Sequence, residues 1–168
     1  MPCPTLHGPP LAKARDRFKH GSLLSGNFCP PRVNSQRQST ACGLTRPWND
    51  PNDDIDRAVA AREATILVGY CGDQMIGSVM AGHDGHRGWV YYLAVEPAHQ
   101  GRGAGRELME EAGLWLASRG APKIELMVRD GNDRAEKFYE ALGFERQDVK
   151  VYGKWLKVPD AAESRKAS

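Results

Sequence analysis

Apolar and polar positions change texture partway along the chain. Over residues 1–41, Pro2, Pro4, Pro9, Pro10, Pro30 and Pro31 punctuate a run rich in Ser, Arg, Gln and Asn. Apolar residues there are too sparse for a buried strand or helix, and only Ala12 to His20 has the makings of a short helix. Such a segment cannot bury enough surface to offset its ordering entropy, so disorder is expected. From Arg46 the pattern becomes periodic. "RPWNDPNDDIDRAVAARE" reads as turn and then helix, with Asn52 or Asp53 as cap, acids in the first turn, and Ile55, Ala58, Val59 and Arg62 at helical spacing.

Three strands follow. Ile66 to Tyr70 is a β-branched apolar run, Gly72-Asp73 a turn, and Gln74 to Gly82 a second strand, which together make a hairpin. After the turn "HDGHRG", "WVYYLAVEP" is a third strand, ended by Pro97. These three form an antiparallel meander. A glycine loop then runs into "GRELMEEAGLWLASRG", where Leu108, Met109, Ala112, Trp115 and Leu116 share one helical face and Gly120 stops the helix. Lys123 to Val128 reads as a strand. "NDRAEKFYEALGF" reads as a short helix with Ala135, Phe138, Tyr139 and Leu142 on one side, and "FERQDVKVYGKWL" as one or two further strands. The organisation is therefore a basic, Pro-rich segment over 1–41, one domain over 42–158, and a polar tail over 159–168.

Charge divides in the same place. Residues 1–48 carry +6 and the remainder −4. The basic arm lacks aromatic interleaving, heptads and an amphipathic face, so a solvated arm is expected, with no nucleic-acid or membrane partner. Its acid-poor, Ser-containing start also fits a transit peptide, but no sustained amphipathic helix supports that. There is no apolar run of about 18 residues and no secretory leader pattern, so a cytoplasmic protein is expected. Cys3, Cys29, Cys42 and Cys71 form no CxxC pair and read as free thiols. His83, Asp84 and His86 lie in a tight Asp-Gly turn and do not complete a four-ligand set, so no metal is expected.

The stretch "HQGRGAGREL", residues 99–108, carries the chemistry. A strand that ends in a glycine-rich loop and opens a helix is suited to phosphate, because helix N-termini present unpaired N–H groups and glycine lets the backbone approach an anion. The sequence GxxxxGK[ST] is absent. GxGxxG from Gly101 fails at Arg106, and no βαβ unit precedes it. The pattern [Q/R]xxGx[G/A] is met by Gln100, Gly103 and Gly105.

That last pattern is the pyrophosphate signature of the GCN5-related N-acetyltransferases (GNAT), and the chain resembles this family from about Arg46 to Leu156. "YYLAVEPAHQGRGAGRELM" is similar to the family's strand, loop and helix, and "NDRAEKFYEALGF" to its AxxFYxxxGF motif. "RPWNDP" and "DGHRG" resemble a small bacterial subgroup named after YpeA. The resemblance implies a mixed α/β fold with a twisted, mostly antiparallel sheet flanked by helices. It also implies acetyl-CoA as donor, an amine as acceptor, and direct attack in a ternary complex. A catalytically weak acyl-CoA-binding module of the same fold is the alternative. Family members often pair through their C-terminal strands, which leaves a homodimer open.

The resemblance also assigns roles. Gln100 and the amides of Arg102, Gly103, Ala104, Gly105 and Arg106 would hold the pyrophosphate. The strand from Tyr92 through Leu93, Ala94 and Val95 would pair with pantetheine, and a backbone N–H there would polarise the thioester carbonyl. Tyr139 would be the general acid, although residue chemistry alone reads it as a core aromatic beside Phe138. Asn132 would cap its helix and contact CoA. Glu96 is the candidate general base, with Glu63 a weaker one, and His86 and Arg87 are candidates for the acceptor side. The family's opening strand and helix have no counterpart in the texture of residues 1–41. The expectation is that they are missing or altered, through a changed N-terminus or a natural extension, at a cost in stability.

Overall fold

The computed structural model describes residues 18–20 and 50–156. These form two units, Phe18–His20 with residues 50–126, and residues 127–156. The rest of the 1–41 segment and the 159–168 tail lie outside the described residues.

The first unit is a five-stranded sheet in spatial order β1-β2-β3-β4-β5. The strands are β1 Phe18–His20, β2 Ala64–Cys71, β3 Gln74–His83, β4 Gly88–Val95 and β5 Ile124–Glu125. All neighbours are antiparallel except β4 and β5. The helices are α1 Pro51–Ala60 and α2 Ala104–Ser118, and a 3₁₀ turn spans Pro97–His99.

β1 corrects part of the sequence reading. Phe18–His20 is extended and pairs with Leu67–Gly69, so these residues are neither helical nor outside the fold. The sheet thus has a first strand, though a short one. An edge of β2 offers ladder groups that any extended segment can satisfy, whatever its side-chain pattern.

The meander β2–β4 follows the sequence closely. Gly72, at φ 60, makes the β2–β3 turn possible. The core lies between the sheet and α2, which packs on β2 and β3; Leu67, Val79 and Ala81 of the strands and Leu108, Ala112 and Leu116 of the helix are all at most 1% exposed. Burying each leucine side chain contributes roughly 1.5–3 kcal/mol before entropy is charged against it. The five residues expected on the inner face of α2 are all buried. The helix stops at Gly120, whose φ of 82 lets Ala121 N–H donate to the Leu116 carbonyl at 3.1 Å and Gly120 N–H to the Ala117 carbonyl at 2.9 Å.

α1 starts earlier than expected. Asp50, not Asn52 or Asp53, is the cap, accepting from Asn52 N–H at 2.8 Å. Pro51 explains this, because proline has no N–H to lose at the first helical position and its fixed φ suits that place. Ile55 and Ala58 are buried as expected, but Val59 is 40% exposed. Arg62 lies beyond the helix, which turns extended at Ala61.

In the second unit α3 spans Asp133–Glu140. Asn132 caps it by accepting from Ala135 N–H at 3.2 Å. The strand expected over Lys123 to Val128 is confined to Ile124–Glu125, and residues 145–156 contain no strand. Val149, Val151, Tyr152 and Leu156 are each at least 70% exposed, so the alternating pattern there has no face to bury. Strand propensity is expressed through such packing and is weak without it.

Candidate functional site

β4 is interrupted at its centre. Ser78 pairs with Ala94 and Met80 with Tyr91, so Tyr92 and Leu93 together stand opposite the single residue Val79. This is a β-bulge with its extra residue in β4. Tyr92 has φ 51, the one positive value at a non-glycine residue among the described residues. A left-handed tyrosine is strained and persists only where its surroundings over-determine it. Here the Tyr92 hydroxyl donates to Asp54 Oδ2 on α1 at 2.7 Å. The other oxygen of Asp54 is paired with Arg57. On its far side β4 pairs with β5 only at Gly88 and Trp89, and that ladder does not extend to the bulge.

Beyond the bulge the strand leads directly into the glycine loop. Glu96 N–H donates to the Ile76 carbonyl at 2.8 Å, which carries the β3 pairing one residue past the strand. Gln100 Nε2 donates to the Val95 carbonyl at 2.8 Å, tying the loop back to the end of β4. Gly101 and Gly103 have φ 71 and 89. A Cβ built on either meets nothing within 4 Å, so the space around both positions is open. Gly103 is the N-cap of α2 and has no side chain to satisfy the first-turn amides. An uncapped start to a helix of this length presents N–H groups and a partial positive charge outward, which suits an anion.

The first unit therefore brings most of the expected residues together in one continuous stretch. Ala94 is buried at 2% exposure, so its side chain packs while its backbone stays in the ladder. Leu93, Val95 and Glu96 are half-buried; Arg102 and Arg106 lie at the surface, with Gly103, Ala104 and Gly105 between them. Asn132 and Tyr139 belong to α3 in the second unit. Tyr139 is packed edge-on against Phe138 and Phe144, with ring centroids 5.1 and 5.7 Å apart. Burial raises its phenol above the ordinary 10.0. Tyr139 is half-buried among these aromatic neighbours.

The turn from β3 to β4 is a polar knot. Asp84 Oδ1 accepts from the amides of His86 and Arg87 at 2.8 and 2.6 Å, and Oδ2 from the Trp89 indole at 2.8 Å. Led by the Arg87 amide and then the indole N–H, these bonds hold its carboxyl down at about 2. Arg87, expected on the acceptor side, is engaged with Glu125 at 2.6 Å. Among the described residues no group of three or more His, Cys, Asp or Glu is placed to hold a metal. Among them, too, no helix is long and apolar enough to cross a membrane.

The bond between Asp54 and Tyr92 was not visible in the sequence. Asp54 read only as a first-turn acid, and its signal is faint: the tandem Tyr91-Tyr92 breaks the alternation of β4, which is where a bulge can enter.

Comparison with known proteins agrees with this geometry. The family model for the acetyltransferase (GNAT) family matches residues 33–144, beginning upstream of the motifs that carried the resemblance. An acetyltransferase of Yersinia pestis (strain Pestoides F) is 44% identical over 115 residues, covering 68% of this chain and 82% of the relative. An acetyltransferase of Sodalis glossinidius is 46% identical over 116 residues, with the same coverage. Among solved structures, the acetyltransferase AAC(6')-Iy in complex with a CoA bisubstrate analog superposes with a TM-score of 0.64 at 16% identity, covering 82% of this chain and 97% of that one. An aminoglycoside acetyltransferase from an uncultured soil metagenomic sample, in complex with sisomicin, also gives 0.64 at 16% identity, covering 84% and 98%. At this identity the structures establish the fold, while the family match and the closer relatives establish kinship. The chain belongs to the GNAT family of acetyltransferases.

Proposed function

We propose that the chain transfers the acetyl group of acetyl-CoA to a primary amine, on a small molecule or on a protein lysine or N-terminus, by direct attack in a ternary complex. The observation that carries this reading is the unbroken run from the β4 bulge through the glycine loop to the start of α2. Strand backbone at one end suits the two amides of pantetheine, and an uncapped helix start at the other suits pyrophosphate. Leu93, Ala94 and Val95 would pair with the former. Arg102, Gly103, Ala104, Gly105 and Arg106 would surround the latter, with Gln100 fixing the loop.

The chemistry then follows from the residues. The neutral amine attacks the thioester carbonyl carbon, and a backbone N–H of Leu93–Val95 stabilises the developing oxyanion. Collapse breaks the carbon–sulfur bond and expels a thiolate. Thiol and phenol ordinarily ionise near 8.5 and 10, so Tyr139 is suited to deliver a proton to sulfur as charge builds. Glu96 would take the proton that the amine loses, directly or through water. The relatives named as acetyltransferases support the transfer, and the CoA complex of AAC(6')-Iy supports the donor.

The test is thiol release from acetyl-CoA in the presence of sisomicin, spermidine, a lysine peptide and a peptide with a free N-terminus. Release that depends on one of these amines, with one acetyl group gained on its nitrogen, is expected. Tight acetyl-CoA binding with no release for any of them, and none with a wider amine library, would favour the acyl-CoA-binding module instead.

A further inference from the structure

We propose that Asp54 is a positioning residue for the donor strand: through its hydrogen bond to Tyr92 it holds the β4 bulge in the left-handed conformation that sets the Leu93–Val95 backbone for the acyl-pantetheine arm. The inference deepens the function proposed above and rests on its placement of pantetheine along β4.

A β-bulge needs one residue out of register, and glycine or asparagine would fill a left-handed position with least cost. This chain has tyrosine there, at φ 51. Something must therefore select that conformation over ordinary extended backbone, which would slide Leu93–Val95 by one residue and turn each side chain to the other face. The Tyr92 hydroxyl reaches Asp54 Oδ2 at 2.7 Å, a hydrogen bond to an ionised acceptor and so of the stronger kind. Asp54 is itself fixed from several directions. Asp50 and Pro51 set the start of α1, Ile55 and Ala58 anchor the helix in the core, and Arg57 engages the second oxygen one turn on. The tyrosine ring thus acts as a strut from an anchored helix to the one strained residue of the strand.

The consequence is a split between the two halves of the donor. Losing the strut disturbs Leu93–Val95 but leaves the far side of the glycine loop, which is fixed by the α2 start through the buried Leu108 and Met109. The test uses the full chain with two probes: acetyl-CoA by calorimetry, and ADP, which carries only the pyrophosphate end, by ligand-observed NMR. For Asp54→Ala the expected result is about tenfold weaker acetyl-CoA binding with ADP affinity unchanged. Asp54→Asn, which keeps an acceptor oxygen for Tyr92, should recover most of the loss. Tyr92→Phe should match Asp54→Ala, and the double variant should be no worse than either. Unchanged acetyl-CoA affinity in a folded Asp54→Ala protein overturns the proposal. So does equal loss of both probes, which marks a merely structural role. Should Asp54→Ala fail to fold, Tyr92→Phe carries the same comparison. Failure of the folded wild-type chain to bind acetyl-CoA at all would instead remove the function on which the proposal rests.

Discussion

The side-chain amide of Gln100 donates to the backbone carbonyl of Val95 at 2.8 Å. This bond closes a short circuit between the end of β4 and the loop that follows, so strand and loop keep one register. Gln100 is therefore a brace in this structure, whatever else it does for a bound anion. Gln100→Ala should weaken acetyl-CoA binding roughly fivefold to tenfold by letting the loop drift, at the scale of one hydrogen bond. Equilibrium titration of the variant checks this, and an unchanged affinity would show that the 3₁₀ turn alone holds the loop.

Tyr139→Phe separates chemistry from binding. If the phenol supplies the proton to sulfur, turnover should fall by about 10²–10³-fold with acetyl-CoA affinity nearly unchanged. The pH dependence follows from its burial. The acid works when protonated, and burial raises its pKa above 10.0, so any loss of rate from its ionisation should set in only above that value. A wild-type rate that collapses well below it, through a group still present in the variant, would assign the acid elsewhere.

Gly77→Ala and Gly88→Ala should both destabilise, for different reasons. A Cβ on Gly88 meets Leu116 side-chain carbons at 2.7–3.1 Å, and that leucine is 1% exposed with little room to move. A Cβ on Gly77 meets the Ala94 backbone oxygen at 2.9 Å as well as a Leu108 methyl. Overpacking of this kind costs about 1–3 kcal/mol. Only Gly77→Ala pushes on the Leu93–Val95 segment proposed to meet pantetheine, so it alone should also weaken acetyl-CoA binding. Denaturant melts and titrations of the two variants together decide this.

Asp84 links stability to acid. Its folded value of about 2 lies below the ordinary 3.8, so its contribution is complete above the unfolded value and disappears as pH falls through the folded one. Thermal melts between pH 5 and pH 2 should therefore fall less steeply for Asp84→Asn than for wild type, with the variant already lower at neutral pH. Parallel curves would show that the turn does not depend on this carboxylate.

Much of this arrangement was legible in the sequence because it rests on local rules. The inner face of α2 follows from helical spacing, the meander from β-branched runs and turns, and the loop from Gln100, Gly103 and Gly105. What was not legible depends on tertiary context. Asn52 and Asp53 are as good caps as Asp50, and only the preference of Pro51 for the first helical position decides between them. Phe18–His20 pairs through backbone groups that no side-chain pattern announces. Val149 and Val151 alternate as a strand should, yet no buried face gathers them. The bulge at Tyr92 is set by an acid on another element, and Asp54 looks like any first-turn carboxylate until the helix is packed.

The most direct measurement is a calorimetric titration of the whole chain with acetyl-CoA, repeated on Gly103→Glu. Position 103 has φ 89, which strains any side chain, and glutamate would set a negative charge where the pyrophosphate is proposed to sit. Saturable one-site binding is expected of the wild-type chain, and its loss in the variant, while both proteins remain folded, would support pyrophosphate binding at this loop. Wild-type protein that is folded and does not bind, or a Gly103→Glu protein that binds as well as wild type, would contradict it.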